Sequence, residues 1–212
     1  MLAAATLTLT GCGSDENGIA EPQLQEKTAQ LELRLMGSGV NTKATGSALP
    51  TQAEENTLKR FTVAIFNSDN SVNAIQTITT NMTSATTINC TPAAGCTGIV
   101  VANAPTDNYF AGVLNKTDFL KKTIALADAQ AKDCLPMSGD VKDGSGNATF
   151  TLSAGSNTGM TAQLLRLVAR VSISSIKTAF DPNGQYAAAS YELKNIFVRN
   201  AMQEAVPGTG GY

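Results

Sequence analysis

Between residues 29 and 36 the chain alternates strictly, with Ala29, Leu31, Leu33 and Leu35 on one face and Gln30, Glu32, Arg34 and Met36 on the other. A period of two predicts a strand with one side in a core and the other in water. Residues 37 to 56 follow with Gly, Ser, Asn, Thr, Pro and Glu and almost nothing to bury, which predicts a long exposed loop. Phe61-Thr-Val-Ala-Ile-Phe66 is apolar on both faces, as a central strand should be. An Asn-Ser-Asp-Asn turn then leads into a neighbouring strand over residues 72 to 80.

Gly98-Ile-Val-Val-Ala-Asn103 reads as a further buried strand. Between Thr117 and Lys132 the apolar residues Leu120, Ile124, Ala127 and Ala131 recur at helical spacing, and Thr117 suits an N-cap, so one helix is predicted there. Ala148, Phe150 and Leu152 alternate again, as do Leu165, Leu167, Ala169, Val171 and Ile173. That last stretch also fits a helix through Leu164, Leu165, Val168 and Val171. The β-branched residues toward its end favour a strand. Residues 191 to 198 supply one more strand, and no internal repeat is present.

Composition narrows the class. With 212 residues the chain has room for one large domain, or one domain and part of a second. Charged residues are 15% of the chain, the net charge is -2, and Ser, Thr, Asn, Gly and Ala fill the spaces between short apolar runs. This texture belongs to an extracellular all-β protein with many turns. A cluster of Lys and Arg suited to phosphate is missing, which argues against nucleic acid as a partner. The sequence contains no His and no Trp. Without His, the usual proton shuttle and nitrogen ligand for zinc are unavailable, so the chain reads as a non-enzyme with no metal site and no cofactor.

Residues 2 to 10 form a short apolar run ending in Leu9-Thr10-Gly11-Cys12. The run has the length of a secretory core and is too short to span a bilayer. It resembles a lipobox, which implies that Cys12 becomes the lipidated first residue and anchors the protein to a membrane. The missing cationic start suggests that the true initiation site lies upstream. Gly13-Ser-Asp-Glu-Asn-Gly18 reads as a polar tether, and its acidic residues resemble an outer-surface sorting signal.

The order of segments then resembles the fimbrillin family of Bacteroidota, the major and minor fimbrial subunits and their Mfa-like relatives. The matching pieces are the lipobox at Cys12, Leu31-Glu-Leu-Arg-Leu35, Thr57-Leu-Lys-Arg-Phe-Thr-Val-Ala-Ile-Phe66 and Ile99-Val-Val-Ala-Asn103. They continue with Leu135-Pro-Met-Ser-Gly139, Leu165-Arg-Leu-Val-Ala-Arg-Val171 and Tyr191-Glu-Leu-Lys-Asn-Ile-Phe-Val198. The resemblance implies a mainly β fold, a transthyretin-like antiparallel β-sandwich with one short helix, followed by the start of a second, incomplete sandwich. Its divisions would be a signal peptide (1–11), a lipidated tether (12–27), a first sandwich (28–160) and the beginning of a truncated second one (161–212).

The same resemblance implies export as an outer-membrane lipoprotein and a place in a cell-surface fimbrium that serves adhesion. A maturation protease would cut in the loop after the first strand. Lys43-Ala44 is the place in this sequence that matches, and Arg34 is the second choice. The family usually has Arg where Lys43 stands, which puts cleavage by an Arg-specific protease in doubt. Residues 29 to 36, through Ala29, Leu31, Leu33 and Leu35, would be a placeholder strand that a strand from another fimbrial subunit replaces.

Three cysteines remain besides Cys12. Cys90 and Cys96 flank a Pro-Ala-Ala-Gly turn that a disulfide would close, whereas Cys134 is left over. Asp140, Asp143, Gly144 and Asn147 surround a Gly-Ser-Gly turn, better read as a hairpin turn than as a calcium loop. Arg166 and Arg170 read as edge-strand charges or as partners for acidic loop residues. The alternative function is a monomeric surface lipoprotein binding glycan or host protein, for which Tyr109-Phe110 is the aromatic cluster on offer.

Overall fold

The structure is a computed structural model that describes residues 28–37, 55–79, 85–129, 131, 133–169, 171, 173, 175–177, 180–199 and 201–208. Its centre is one eight-stranded sheet that bends round into a nearly closed sandwich. The strands are β1 (Ala29–Gly37), β2 (Phe61–Phe66), β3 (Val72–Ile78), β4 (Ala85–Cys90), β5 (Ala93–Ala102), β7 (Met137–Lys142), β8 (Thr149–Leu152) and β9 (Gly155–Arg166). Their order is β3-β2-β5-β7-β9-β1-β4, with β8 paired to β5. Neighbours are antiparallel except β1 and β9, which run parallel. The mainly β fold inferred from the alternating pattern is therefore the one observed.

The run Phe61–Phe66 is apolar on both faces because it is buried on both. Phe61, Val63 and Ile65 face the interior of the sandwich together with Val100, Ala102, Ile88, Met137, Phe150 and the leucines of β1. Ala64 and Phe66 face outward into a second core with Ile99, Val101, Phe110, Phe119 and Ile124. The segment from residue 104 to 129 crosses the sheet there and lays three aromatic rings on it. Phe119 is stacked on Phe110 at 4.3 Å between centroids and meets Phe66 edge-on at 5.5 Å.

Close approach requires glycine at two strand positions. A Cβ on Gly98 would come within 2.8 Å of Ile65 and Val141, and one on Gly139 within 2.1 Å of the Gln163 carbonyl.

The helix predicted over residues 117 to 132 is one turn only, α1 (Lys116–Leu120), and its cap is Asn115 rather than Thr117. Asn115 Oδ1 accepts the Asp118 amide at 2.8 Å. Beyond Leu120 the backbone finds better partners than its own next turn. Residues Ile124–Ala125 become β6, paired with β10 (Glu204–Ala205), and the Leu126 amide donates to the Gln203 carbonyl at 2.7 Å. A short 3-10 turn, Leu126–Ala129, follows.

The strand predicted over residues 165 to 173 is also corrected. β9 starts ten residues earlier and ends at Arg166, because both of its partners run out: β1 stops opposite Leu164, and β7 begins opposite Arg166. Its core-facing residues are Met160, Ala162 and Leu164, the parity opposite to Leu165 and Leu167. β9 thus passes unbroken through the division placed at residues 160 and 161. Residues 191 to 198 form no strand; Val171 and Phe197 are 76% and 80% exposed.

The Gly-Ser-Gly turn at residues 143 to 147 is formed as a turn, with Asp143 accepting the Ser145 and Asn147 amides at 2.9 and 2.8 Å. The Asn147 side chain, donating to Asp143 Oδ2 at 3.0 Å, and then these amides hold the Asp143 carboxyl below its usual range. It is not a hairpin: β7 and β8 both pair with β5 rather than with each other.

Two buried polar groups lock the frame. Asn103, 4% exposed, sits in the left-handed region at φ 56°. It accepts the Lys59 amide at 2.8 Å and donates to the carbonyls of Thr57 at 2.8 Å and Leu135 at 2.9 Å, joining three segments. Arg166 reaches Glu55 at 3.5 Å and donates to Asn56 Oδ1 at 2.8 Å, the two charged side chains being 10% and 6% exposed. The acidic partner expected for Arg166 is thus Glu55. Replacing Asn103 by Ala strands three buried backbone groups and forces a side chain into a strained φ, so Asn103→Ala should lose about 3 to 5 kcal/mol in urea denaturation. Asn103→Gly should lose less, because it relieves the backbone and forfeits only the bonds.

Candidate assembly groove

β1 is the residue run in which sequence pattern and structure agree most fully. Ala29, Leu31, Leu33 and Leu35 point into the main core, all between 0% and 7% exposed, while Gln30, Glu32, Arg34 and Met36 face out. The strand lies between two neighbours. On one side it pairs antiparallel with β4, from Ala29 opposite Cys90 to Arg34 opposite Ala85. On the other it runs parallel to β9, from Ala29 opposite Gly155 to Gly37 opposite Leu164, with an extra β9 residue between Leu31 and Leu33. Gly159, at φ 80°, supplies the backbone that this bulge needs.

Without β1 the two neighbours define a groove. Its floor is the core that receives the leucines, including Ile88 and Cys90 from β4 and Met160, Ala162 and Leu164 from β9. Its walls are the β4 and β9 backbones, whose N–H and C=O groups along that edge now bond to β1. Outside the floor, Glu32 accepts the Ser156 hydroxyl at 2.8 Å, and Asn157 Nδ2 donates to the Gln30 carbonyl at 3.3 Å. Such a groove binds an extended peptide by backbone pairing and selects it by alternate apolar side chains.

Among the described residues β4 has no strand partner but β1. What else ties its end is the side chain of Asn73 on β3, which donates to the Thr91 carbonyl and accepts the Thr91 amide, each at 2.9 Å. This bidentate clasp bridges the gap between the two edge strands of the sandwich.

The other sequence-derived residues fall elsewhere. Cys12, Lys43 and Ala44 lie outside the described residues, as does most of the loop 37 to 56. Arg34 is exposed, but its backbone is paired on both sides, so a protease reaches it only after β1 has left. Cys90 and Cys96 are unbonded thiols buried in the main core, and Cys134 is partly exposed. Burial pushes Cys90 up to about 11, with Cys96 adding to the shift, and burial raises Cys96 as well; neither is a ready nucleophile. Tyr109 and Phe110 form no exposed platform: Phe110 is buried, and the Tyr109 hydroxyl donates to the Thr123 carbonyl.

Two parts of the groove escaped the alternation reading. β4 was missed because Ala85-Thr-Thr-Ile-Asn-Cys90 carries only Ile88 and Cys90 as buried signals. The β9 half that faces β1 was missed behind the stronger leucine run that follows it. Its own signal, Met160-Thr-Ala-Gln-Leu164, is a legible alternation. Among the described residues no group of three or more Cys, Asp or Glu side chains stands together as a metal site, and no helix is long and apolar enough to cross a membrane.

Comparison with known proteins returns a consistent family. No protein of curated function matches. Among solved structures the chain is similar to a putative cell adhesion protein from Parabacteroides distasonis, at 17% identity and a TM-score of 0.49 over 66% of this chain and 46% of that one. It is also similar to a fimbrilin from Porphyromonas gingivalis, at 19% identity and a TM-score of 0.48 over 66% and 40% of the two chains. A third similar structure is the tip fimbrial protein Mfa3 from Porphyromonas gingivalis, at 14% identity and 0.46 over 66% and 48%. The chain spans less than half the length of each of these three. Residues 29–179 match the family described as major fimbrial subunit protein (FimA), and with most of the chain inside that match it belongs to this family of fimbrial subunits.

Proposed function

We propose that the protein is a structural subunit or accessory pilin of a surface fimbrium, exported as a lipoprotein anchored at Cys12 and assembled by exchange of β1 for a strand of another fimbrial subunit. One observation carries this reading: β1 comes first among the described strands in sequence but is internal in the sheet. A strand in the middle of the chain needs two cuts to come free. A single cut in the connection before β2 separates β1 from every other described strand, and from then on non-covalent forces alone join it to them.

Those forces are substantial but finite. Three buried leucines contribute about 1.5 to 3 kcal/mol each by burial, before the two backbone ladders are counted. A strand that offers the same alternation and the same hydrogen bonds is therefore an adequate substitute. It must run antiparallel to β4 and parallel to β9, with apolar residues where Ala29, Leu31, Leu33 and Leu35 now sit. Cleavage after Lys43 leaves β1 intact on the released piece, whereas Arg34 is protected by its ladders. Adhesion by the assembled fibre, and its lipid-anchored start at the outer membrane, belong to the same proposal and draw support from the family.

Incubating the folded chain with a Lys/Arg-specific protease should release an amino-terminal fragment ending at Lys43, followed by oligomers on size exclusion. A chain that is cut there, loses the fragment and stays monomeric at high concentration would sink strand exchange. Leu33→Ala should destabilise the uncut chain by about 2 to 5 kcal/mol and speed fragment release after cutting. Glu32→Ala, on the outer face, should change stability by less than about 1 kcal/mol.

A further inference from the structure

The two cysteines of the main core occupy a place that the groove makes informative. Cys90 is the last residue of β4 and stands opposite Ala29 of β1. Cys96 lies in β5, opposite Phe150 of β8. The strands β4 and β5 follow one another in the chain but belong to opposite parts of the sheet order, so the short connection between them spans the sandwich. Both sulfurs are nonetheless in the same apolar cluster, 7% and 0% exposed, and Cys96 is near enough to act electrostatically on Cys90. Gly95, at φ 70°, sits at the irregularity in β5 between Ala93 and Cys96. Cys134 is outside this cluster.

We propose that Cys90 and Cys96 are oxidised to a disulfide that fastens the end of β4 to β5, so that one wall of the groove keeps its place while β1 is absent. Formation of the bond stands on the two thiols alone; its purpose rests on the reading of β1 as a strand that leaves. Among the described residues β4 makes ladder bonds with β1 only, so departure of β1 leaves it held by its two-residue link to β5, by the Asn73 clasp and by Ile88 and Cys90 in the core. A covalent link at Cys90 adds a tie that strand exchange does not break.

The oxidant is a disulfide of a small thiol, such as oxidised glutathione. One cysteine thiolate attacks a glutathione sulfur, forming a mixed disulfide and expelling one glutathione thiolate. The second cysteine thiolate then attacks the protein sulfur of that mixed disulfide and expels the other. Two protein thiols are oxidised, one glutathione disulfide is reduced to two thiols, and both protons pass to solvent or to the departing thiolates. Burial suppresses the thiolate at both positions, so the reaction runs before the core closes or while β1 is out.

The test uses the full chain with Cys12→Ser and Cys134→Ser. Reduced, unfolded protein is refolded with oxidised glutathione, unfolded again, treated with iodoacetamide and weighed intact. The expected product is lighter than the reduced chain by two hydrogens and carries no adduct at either residue. Two iodoacetamide adducts, or glutathione retained on both thiols, overturn the bond. In a second arm β1 is cut free and displaced by excess peptide of residues 28 to 37 carrying a mass label. Hydrogen exchange at the β4 amides is then compared with and without dithiothreitol. Exchange about tenfold slower in the oxidised chain supports the fastening role. Equal exchange overturns it, and Cys96→Ala, which lacks the bond, must behave like the reduced chain. If labelled peptide never enters, the exchange reading and the fastening role fall together, while the mass measurement separately decides the bond.

Discussion

The seat of β1 between β4 and β9 is the contact on which the rest of this molecule depends. It closes the sandwich on that side, it is the one ladder that holds β4 among the described residues, and it drives three leucines into a core shared with β2, β5, β7 and β8. No other strand combines an internal position in the sheet with a position at the amino end of the described chain. The physics is that of any β ladder, with backbone pairing on both sides and alternate side chains in the core.

A second core lies away from β1. The outer core, with Phe66, Phe110 and Phe119 at its centre, is assembled from β2, β5 and the crossing segment and touches none of the β1 leucines. Asn103 and the Glu55–Arg166 pair bind segments that flank β2, β7 and β9. A buried ion pair of this kind is poor evidence of net stability, but it fixes where chain segments meet.

How much of this was legible in the sequence follows from which residues had to satisfy distant partners. β1, β2, β3 and the core of β5 were readable because their own side chains declare their environment: alternation where one face is buried, continuous apolar residues where both are. Residues 117 to 132 misled because the helical spacing is real, yet β10, from far along the chain, offers Ile124 and Ala125 an alternative backbone partner. β9 misled because Leu164-Leu165 lets the alternation be read in either parity, and only the ends of β1 and β7 decide where the strand stops. Residues 191 to 198 have strand-like letters, but the described structure gives them no neighbour to pair with. Of the groove itself, the four buried residues of β1 were readable and the walls were not. Cys12, Lys43 and Ala44 rest on family resemblance alone.

The sequence separations around β1 carry a kinetic consequence. Its neighbours are β4, at residues 85 to 90, and β9, at residues 155 to 166, so neither ladder is local. Chain entropy must be surrendered over these long closures before any contact is gained, which makes for slow, late folding. During synthesis from the amino end, β1 emerges before either of its partners and has no ladder to join until nearly all the described strands have followed it. The nascent polypeptide therefore stays extended for longer than one whose β1 could form a hairpin with the next strand.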